Sequence, residues 1–443
     1  MHFYKTFDKI FILSVVIFVL CFLKGAMAEE KPVPVSPAEV KSIPATPPQA
    51  APPAIVPPAT VTPATVPSAT VPPVNKLNRD TIGCVLPLSG PYAAWGNKAL
   101  DAILLSAKIF NKENQTSWKV IAEDSGGLPA KTKAALEQLA NDKNVMAIIA
   151  VTETADASDA AREAEKWKVP LILITSKEGV TSAGGYVFQH FLIPSQQIRA
   201  LVQYAFDDLN CAIFSILYPQ DDYGEEMVKF FRKEVDRVGG KVEKAISYSK
   251  KQTDFGDEIS KLTGRIVRSP SPAKLKTDKN EPEESIPVDF EALFIPDSSS
   301  RVKMITSQLD FYEVKGFKLL GTSLWHSPEL LKNDTEYLEG AVFTDSFFKD
   351  GFYPETTNFV DAYKAAYSRE PENIEALSYD TAGMIFSILE DKNVKTRQEL
   401  AAGLIKMENY NGATGNIYFD ANRVAQKTAF ILKVKDGKFE QVQ

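Results

Sequence analysis

Short apolar runs alternate with amphipathic stretches from about residue 80 to the C-terminus. The runs that predict buried strands are 82–88, 119–122, 145–151, 169–174, 211–218, 241–248, 290–295, 317–320 and 428–435. Apolar residues recurring every three to four positions predict helices at 97–111, 130–141, 156–166, 224–238, 254–262, 301–312, 356–368, 374–389 and 396–406. Strands that are apolar on both faces and alternate with helices are typical of parallel sheets, so the predicted fold class is α/β.

Residues 1–28 have the composition of a secretory signal peptide. Lys5 and Lys9 precede an apolar run of 13 residues at 10–22, and small residues at 26–28 provide a cleavage site. A membrane-spanning helix needs roughly 20 apolar residues, so cleavage is favoured over an uncleaved anchor. Lipid modification of Cys21 is disfavoured because bulky residues precede it. The protein is therefore predicted to be periplasmic.

Residues 29–76 predict a disordered tether. Positions 31–74 hold 14 of the 28 prolines of the chain and no aromatic residue. Such a segment buries too little apolar area to offset its ordering entropy, and it favours extended polyproline II geometry. A ligand for an SH3-like domain is the alternative to a passive tether. We expect the tether to hold the protein near a membrane without spanning it.

The remainder, 77–443, is about 365 residues long, which favours two lobes over a single core. The net charge of -7 and a sequence pI near 5.4 argue against a nucleic-acid partner. Cys84 and Cys211 are expected on strands of different lobes, which favours two buried free thiols over a disulfide. Segment 265–287, rich in Ser, Pro, Lys and Glu, predicts a flexible surface loop or, alternatively, a docking loop.

The sequence offers little for catalysis. His190 and His326 are far apart and lack metal-ligand spacing with Cys, Asp or Glu, so neither a metal site nor a cofactor is expected. Both histidines are expected in structural roles, although His326 could reach a cleft. Asp124 is expected to cap a loop, with a cation site at Glu123 and Asp124 as the alternative. These features predict a protein that is not an enzyme.

Polar and aromatic residues follow the ends of the predicted strands, where open α/β sheets bind ligands. The candidates for ligand binding are Ser89, Tyr92, Trp95, Thr152, Thr154, Thr175, Ser176, Lys177, Tyr223, Asp297, Ser298 and Ser323. Hydroxyl and backbone N–H groups at such positions suit a small anion such as a carboxylate. Each loop could instead simply cap the helix after it.

Three of these segments resemble type I periplasmic binding proteins of the branched-chain amino acid receptor group. They are LSGPYAAWG at 88–96, AEDSGGLPA at 122–130 and DDYGE at 221–225, and the likeness extends over 79–443. The resemblance implies two Rossmann-like lobes with parallel sheets, joined by a three-stranded hinge and closing on a ligand. It places lobe 1 at about 79–193 and 325–418 and lobe 2 at about 194–324 and 419–443. The implied crossings lie near 191–195, 321–325 and 415–422.

The resemblance also assigns roles within the cleft. Trp95 matches an aromatic residue of the side-chain pocket, Tyr223 matches a tyrosine of the second lobe, and Thr152 and Thr154 fall in the carboxylate-binding loop. Lys177 stands near the position of a small hydroxyl residue, and Ser323 replaces the acidic partner of the ligand ammonium. Lys177 would favour an extra negative charge on the ligand, or it would pair with Glu153 or Glu178.

A narrower resemblance is to penicillin-binding protein activators, through residues 175–181, 185–188 and 293–298. Two functions are therefore expected. The first is an extracytoplasmic receptor for a small amino-acid-like or acidic ligand, working with an ABC permease or a sensor. The second is a regulator of peptidoglycan synthesis that contacts a penicillin-binding protein.

Overall fold

The computed structural model describes residues 76–109, 118–267, 285–332 and 336–442, except for the side chain of Thr154. The predicted signal peptide, the tether up to residue 75 and positions 268–284 of the predicted surface loop lie outside the described residues. None of the helices within the described ranges has the length and apolar character needed to cross a membrane.

A first, five-stranded sheet is built from the N-terminal part of the fold. Its strands are β1 (Asn78–Leu86), β2 (Lys119–Asp124), β3 (Val145–Val151), β4 (Leu171–Ile174) and β5 (Val187–Gln189), in the order β2-β1-β3-β4-β5. All neighbours are parallel, with Cys84 of β1 opposite Ala122 of β2 and Ile149 of β3. The helices between these strands are α1 (Ala93–Ser106), α2 (Pro129–Glu137) and α3 (Thr154–Lys166).

A second, seven-stranded sheet has the order β15-β14-β10-β9-β8-β6-β7. Its strands are β6 (Ile213–Pro219), β7 (Lys241–Tyr248), β8 (Ala292–Phe294), β9 (Lys318–Gly321), β10 (Val342–Asp345), β14 (Phe430–Lys435) and β15 (Lys438–Gln441). Strands β6 to β10 are parallel, whereas β14 and β15 are antiparallel additions. The associated helices are α4 (Pro194–Asp207), α5 (Asp222–Val238), α6 (Gly256–Thr263) and α7 (Ser299–Phe311).

Both sheets are covered by helices on their two faces, as parallel sheets require. Every residue of β3 is buried, and its side chains divide between two separate apolar clusters. One of these clusters includes side chains of α9 (Asn373–Leu389) and α10 (Arg397–Lys406). Helix α8 (Pro354–Tyr367) packs in a separate, smaller cluster through Phe359 and Tyr363. Two further clusters enclose the second sheet in the same manner. The predicted α/β class, with two lobes that each contain a sheet of mainly parallel strands, is confirmed.

The chain passes between the two lobes at 190–193, 346–353 and 428–429. The predicted crossing near 321–325 is wrong, because β10 pairs with β9 through Val342 and Leu320 and so remains in the second lobe. The predicted crossing near 415–422 is also misplaced. Strands β11 (Tyr410–Gly412), β12 (Gly415–Phe419) and β13 (Ala425–Lys427) form a small antiparallel sheet that packs into the core of the first lobe. The boundaries placed at 324/325 and 418/419 therefore move to the later crossings.

Each lobe has a glycine where the helix after its first strand meets the end of that strand. A Cβ atom on Gly96 of α1 would lie 2.1 Å from the carbonyl oxygen of Pro87, and one on Gly224 of α5 would lie 2.0 Å from that of Pro219. Both contacts are with backbone, which cannot move aside as a flexible side chain can. These close approaches set the position of both helix starts.

We expect Gly224→Ala to lower the free energy of unfolding by about 1–3 kcal/mol, because the added methyl group forces the helix away from the strand. Urea unfolding followed by circular dichroism measures the change. Gly185→Ala is the matched control, since a Cβ there meets nothing within 4 Å. Equal stability of the two variants would contradict the proposed close packing.

Candidate ligand-binding cleft

A cleft of about 810 Å³ opens between the two lobes at the carboxyl ends of their strands. Its first-lobe wall consists of Pro87, Tyr92, Trp95, Ser125, Gly127, Thr132, Val151, Thr152, Glu153, Asp156, Ile174, Thr175, Ser176, Lys177, Glu178 and Ile374. Its second-lobe wall consists of Gln197, Asp222, Tyr223, Glu226, Met227, Ser323 and Leu324, and Phe191 and Pro194 lie at the first crossing. The volume is in the range that small-molecule sites occupy.

The loop after β1 is fixed by Asp124 at the end of β2. Its carboxylate accepts bonds from the backbone N–H groups of Leu88 (2.8 Å), Ser89 (3.1 Å) and Gly126 (2.8 Å), and from the Ser89 hydroxyl (2.5 Å). The Ser89 hydroxyl bond, with the backbone bonds, holds the pKa of Asp124 below its usual value. The predicted capping role of Asp124 is confirmed. Ser89 donates its hydroxyl to Asp124 and does not line the cleft.

The loop held by Asp124 presents two aromatic side chains to the cleft. Tyr92 packs over Gly127, where a Cβ would lie 3.0 Å from the tyrosine ring. A hydrogen bond to Glu153, together with its charge, raises the pKa of Tyr92. Trp95 is 58% exposed although it lines the cleft, so it has free surface for a ligand to cover.

The start of α3 contributes two carboxylates. Glu153 precedes the helix, and Asp156 lies in its first turn. Asp156 is only 6% exposed, and its carboxylate accepts no hydrogen bond from a described residue. Burial raises the pKa of Asp156, and the negative charge of Glu153 raises it further to a smaller extent. Nearby, the Oγ1 atom of Thr152 is buried without a hydrogen-bond partner among the described residues.

The loop after β4 is fixed by Gln189, whose side-chain amide donates to the carbonyl oxygens of Thr175 and Lys177, both at 2.8 Å. The Glu178 carboxylate accepts the backbone N–H of Ser195 at 3.0 Å, which ties the loop to the first crossing. Thr175 and Ser176 line the cleft beside this anchor.

Lys177 is exposed on the same wall and forms no ion pair with a described residue. Neither Glu153 nor Glu178 is therefore its partner in this structure, although both line the cleft. The predicted pairing of Lys177 with one of them is not observed. Its amine is instead one positive group among several carboxylates.

The second-lobe wall is organised by the start of α5. Asp221 caps this helix by accepting the backbone N–H of Gly224 at 2.9 Å, and it pairs with Lys250 at 2.9 Å. Tyr223 follows, with its hydroxyl 3.2 Å from the Oγ1 atom of Thr322. Burial raises the pKa of Tyr223 to about 12, so the hydroxyl is neutral and available for hydrogen bonding.

The cleft brings together predicted residues from both lobes, namely Tyr92, Trp95, Thr152, Thr175, Ser176, Lys177, Tyr223 and Ser323. Ser89, Asp297 and Ser298 are outside its lining. Asp297 accepts a bond from the Tyr248 hydroxyl at 2.6 Å, and the hydroxyl of Ser298 lies 3.3 Å from that of Ser300. The Thr154 side chain lies outside the described residues.

The sequence interpretation missed the acidic part of the lining. The wall carries five carboxylates, those of Glu153, Asp156, Glu178, Asp222 and Glu226, against the single amine of Lys177. Three of these acids, Glu153, Asp156 and Asp222, lie at or just before the starts of α3 and α5, and Glu226 lies one turn further along α5. Acidic residues are common at the start of any helix, so their position alone did not identify them as cleft residues.

The two described histidines lie away from this lining. The Nδ1 atom of His190 lies 2.8 Å from the Thr381 hydroxyl in the protein interior, and His326 pairs with Asp345. Neither histidine lines the cleft. Within the described ranges, no group of three or more His, Cys, Asp or Glu side chains could hold a metal ion. Cys84 and Cys211 are buried free thiols, as predicted.

A family model described as "Periplasmic binding protein" matches residues 81–265 and 300–438. No curated protein matches the sequence. Several solved structures share the fold, which confirms the predicted type I periplasmic binding fold.

A structure from Rhodospirillum rubrum, described as a branched-chain amino acid ABC transporter, has a TM-score of 0.72 and 19% identity, covering 83% of this chain and 100% of that one. A leucine binding protein from Thermotoga maritima has a TM-score of 0.59 and 23% identity, covering 82% of this chain and 97% of that one. A branched-chain amino acid substrate binding protein from Streptococcus pneumoniae, in complex with isoleucine, has a TM-score of 0.60 and 22% identity, covering 83% and 99%.

Proposed function

The chain belongs to the periplasmic binding protein family, and on that premise we propose that it binds a small amine-bearing solute between its lobes and delivers it to an ABC permease or a sensor. The observation that carries this proposal is the cleft itself. Tyr92 and Trp95 face it from the first lobe and Tyr223 from the second, so one ligand can contact both lobes at once.

Contacts from both lobes provide the mechanism. A ligand shifts an open–closed equilibrium only if it binds one state better than the other. Groups on opposite walls reach a small solute together only when the cleft is closed, so the bound solute favours that state. The permease or sensor would then recognise the closed form. This mechanism requires no chemical step on the solute.

The ligand class rests on the similar structures and on the charges of the cleft. The Streptococcus pneumoniae protein holds isoleucine, a solute with an ammonium group. Of the two ligand classes expected from the sequence, amino-acid-like and acidic, the surplus of carboxylates in the lining favours the first. The family acts outside the cytoplasm, and we propose that residues 1–28 direct export and that residues 29–76 tether the domain near the membrane.

The proposal is tested by replacing the two aromatic residues that face each other across the cleft. Tyr223→Ala and Trp95→Ala should each weaken binding of a retained or screened solute by about tenfold or more, because buried aromatic contacts dominate such sites. Isothermal titration of the exported protein measures the affinity, with solutes chosen from amino acids and amines by thermal shift.

Tyr418→Ala is the control, since Tyr418 is a 47% exposed tyrosine of the small antiparallel sheet and does not line the cleft. Affinity unchanged in both cleft variants would refute the assigned site. Failure of every solute to bind, with retention of the protein on a penicillin-binding protein column, would favour the regulator of peptidoglycan synthesis instead.

A further inference from the structure

Acidic side chains lie in the N-terminal parts of α3 and α5, the two helices whose starts face the cleft. The backbone N–H groups at a helix N-terminus attract anions, which makes such an end a natural site for a ligand carboxylate. At α3, Glu153 is the residue before the helix and Asp156 lies in its first turn. At α5, Asp221 caps the helix, Asp222 lies in the first turn and Glu226 lies one turn further along, and Asp222 and Glu226 line the cleft. A ligand carboxylate would therefore approach negative charge on both walls.

Asp156 is the most informative of these acids. Only 6% of its surface is exposed, and it lines the cleft. Its carboxylate accepts no hydrogen bond from a described residue. Its residual exposure is toward the cleft, and a closely surrounded carboxylate without a hydrogen-bond donor is stabilised when a cation pairs with it. Lys177 is the single basic residue of the lining, and it forms no ion pair with Asp156 or with any other described residue. A cationic ligand would supply what this carboxylate lacks.

The aromatic lining agrees with the same ligand chemistry. Tyr92, Trp95 and Phe191 line the cleft together with Tyr223. Aromatic faces attract ammonium and guanidinium groups through the ring quadrupole, most strongly where water is excluded. A site lined by carboxylates and aromatic rings is suited to an organic cation. A site lined by hydroxyl and backbone N–H groups, without carboxylates nearby, would suit an anion.

We propose that the cleft selects small organic amines over ligands that carry a carboxylate, with Glu153 and Asp156 holding one cationic group and Asp222 and Glu226 a second. This inference rests on the proposed function and specifies its ligand class. A ligand with an amine at each end would join the acidic groups of the two lobes and favour closure.

The test uses two pairs of probes, and in each pair one member is an amine without a carboxylate and the other carries a carboxylate. The five-carbon diamine 1,5-diaminopentane is compared with glutarate, and 3-methylbutylamine is compared with leucine, which has the same side chain and ammonium group plus a carboxylate. Isothermal titration is carried out at constant ionic strength. We expect each amine to bind at least about tenfold more tightly than its carboxylate-bearing counterpart, because like charges across a site are strongly disfavoured.

Two variants connect the selectivity to the acids. Asp156→Asn keeps the side-chain shape, and Glu226→Gln does the same on the second lobe. Asp156→Asn should weaken 3-methylbutylamine binding by about tenfold, and Glu226→Gln should weaken only the diamine to a similar extent. The control is Asp159→Asn, on the same helix but exposed and paired with Arg162, which should leave both affinities within about twofold. Circular dichroism verifies that each variant is folded.

The outcomes separate this inference from the function on which it rests. Leucine or glutarate binding as tightly as its amine counterpart would overturn the selectivity while leaving a solute-binding protein. Amine binding that survives Asp156→Asn unchanged would overturn the assigned acids. Absence of binding by all four probes and by the wider solute panel would overturn both.

Discussion

Replacing Asp380 by alanine is expected to lower the free energy of unfolding by about 4 kcal/mol, because several buried donors lose their acceptor at once. Asp380 lies within α9, and its carboxylate accepts the backbone N–H groups of Ala413 and Thr414, both at 2.8 Å, and the Thr414 hydroxyl at 2.7 Å. Burial raises the pKa of Asp380 although these donors act in the opposite direction. The better helix propensity of alanine offsets only a few tenths of a kcal/mol.

These bonds join α9 to the two-residue turn between β11 and β12. Gly412 allows the close approach, since a Cβ there would lie 2.5 Å from the Asp380 carboxylate. Urea unfolding measures the loss of stability, and hydrogen exchange of the β11–β13 amides should show the sheet opening first. Asp361→Ala, an exposed carboxylate on α8, is the control and should change stability by no more than about 0.5 kcal/mol. A similar small effect at Asp380 would mean that the turn is held by other contacts.

The elements with regular local patterns could be predicted from the sequence. The apolar run at 145–151 is β3, and the helical periodicity at 224–238 lies within α5 (Asp222–Val238). In both, the residues that decide burial are neighbours in sequence, so the period of the pattern identifies the element. The parallel arrangement follows because these strands are buried on both faces.

The lobe boundaries could not be predicted in the same way. Strand β10 has only four residues, Val342–Asp345, which is too few to show a period. It is fixed by pairing with β9 and with the distant β14, and those contacts are not visible in a single sequence. The small sheet of β11–β13 likewise depends on Asp380, a residue on a helix that precedes it.

The aromatic and hydroxyl residues of the candidate cleft were identifiable from the sequence as ligand-binding candidates. The acidic residues of the lining were not identified as such. Tyr92, Trp95 and Tyr223 follow strand ends, where the topology of an α/β fold places ligand sites. Asp156 and Glu226 look in sequence like ordinary residues of helix starts, and only the opposing lobe makes them cleft residues. Lys177 considered by itself suggested a ligand with negative charge. The five carboxylates that line the cleft are the reason why we propose a positively charged ligand instead.

A second large effect is expected at Lys427, the last residue of β13 before the third crossing. Its Nζ atom is buried and has no hydrogen-bond partner among the described residues. Burial lowers the pKa of Lys427 to about 7, although the charges of Asp380 and Asp345 act to raise it. His190, at the first crossing, faces the same amine, and burial followed by the charge of Lys427 lowers the pKa of His190.

Because the pKa of Lys427 is lower in the folded protein than in the unfolded chain, the amine lowers the free energy of unfolding by an amount that depends on pH. Between pH about 7 and its ordinary value of 10.5, the unfolded chain binds a proton that the folded protein does not. The free energy of unfolding therefore rises with pH across this window, and the loss is fully present below pH 7. We expect Lys427→Met to raise the free energy of unfolding by about 3 kcal/mol near neutral pH, as replacement of a buried charge by an apolar side chain often does.

Urea unfolding of Lys427→Met and of the unchanged protein at a series of pH values tests this expectation. The difference in stability between the two should be largest below pH about 7 and should shrink toward pH 10, because the amine loses its proton more easily on folding as the pH approaches its ordinary pKa of 10.5. Lys438→Met, an exposed lysine of β15, is the control and should show no such convergence. A Lys427→Met protein that is less stable at neutral pH would show that the amine gains more from Asp380 and Asp345 than it loses by burial. The three crossings would then depend on that charge for their cohesion, and titrating it would loosen the connection on which closure of the lobes relies.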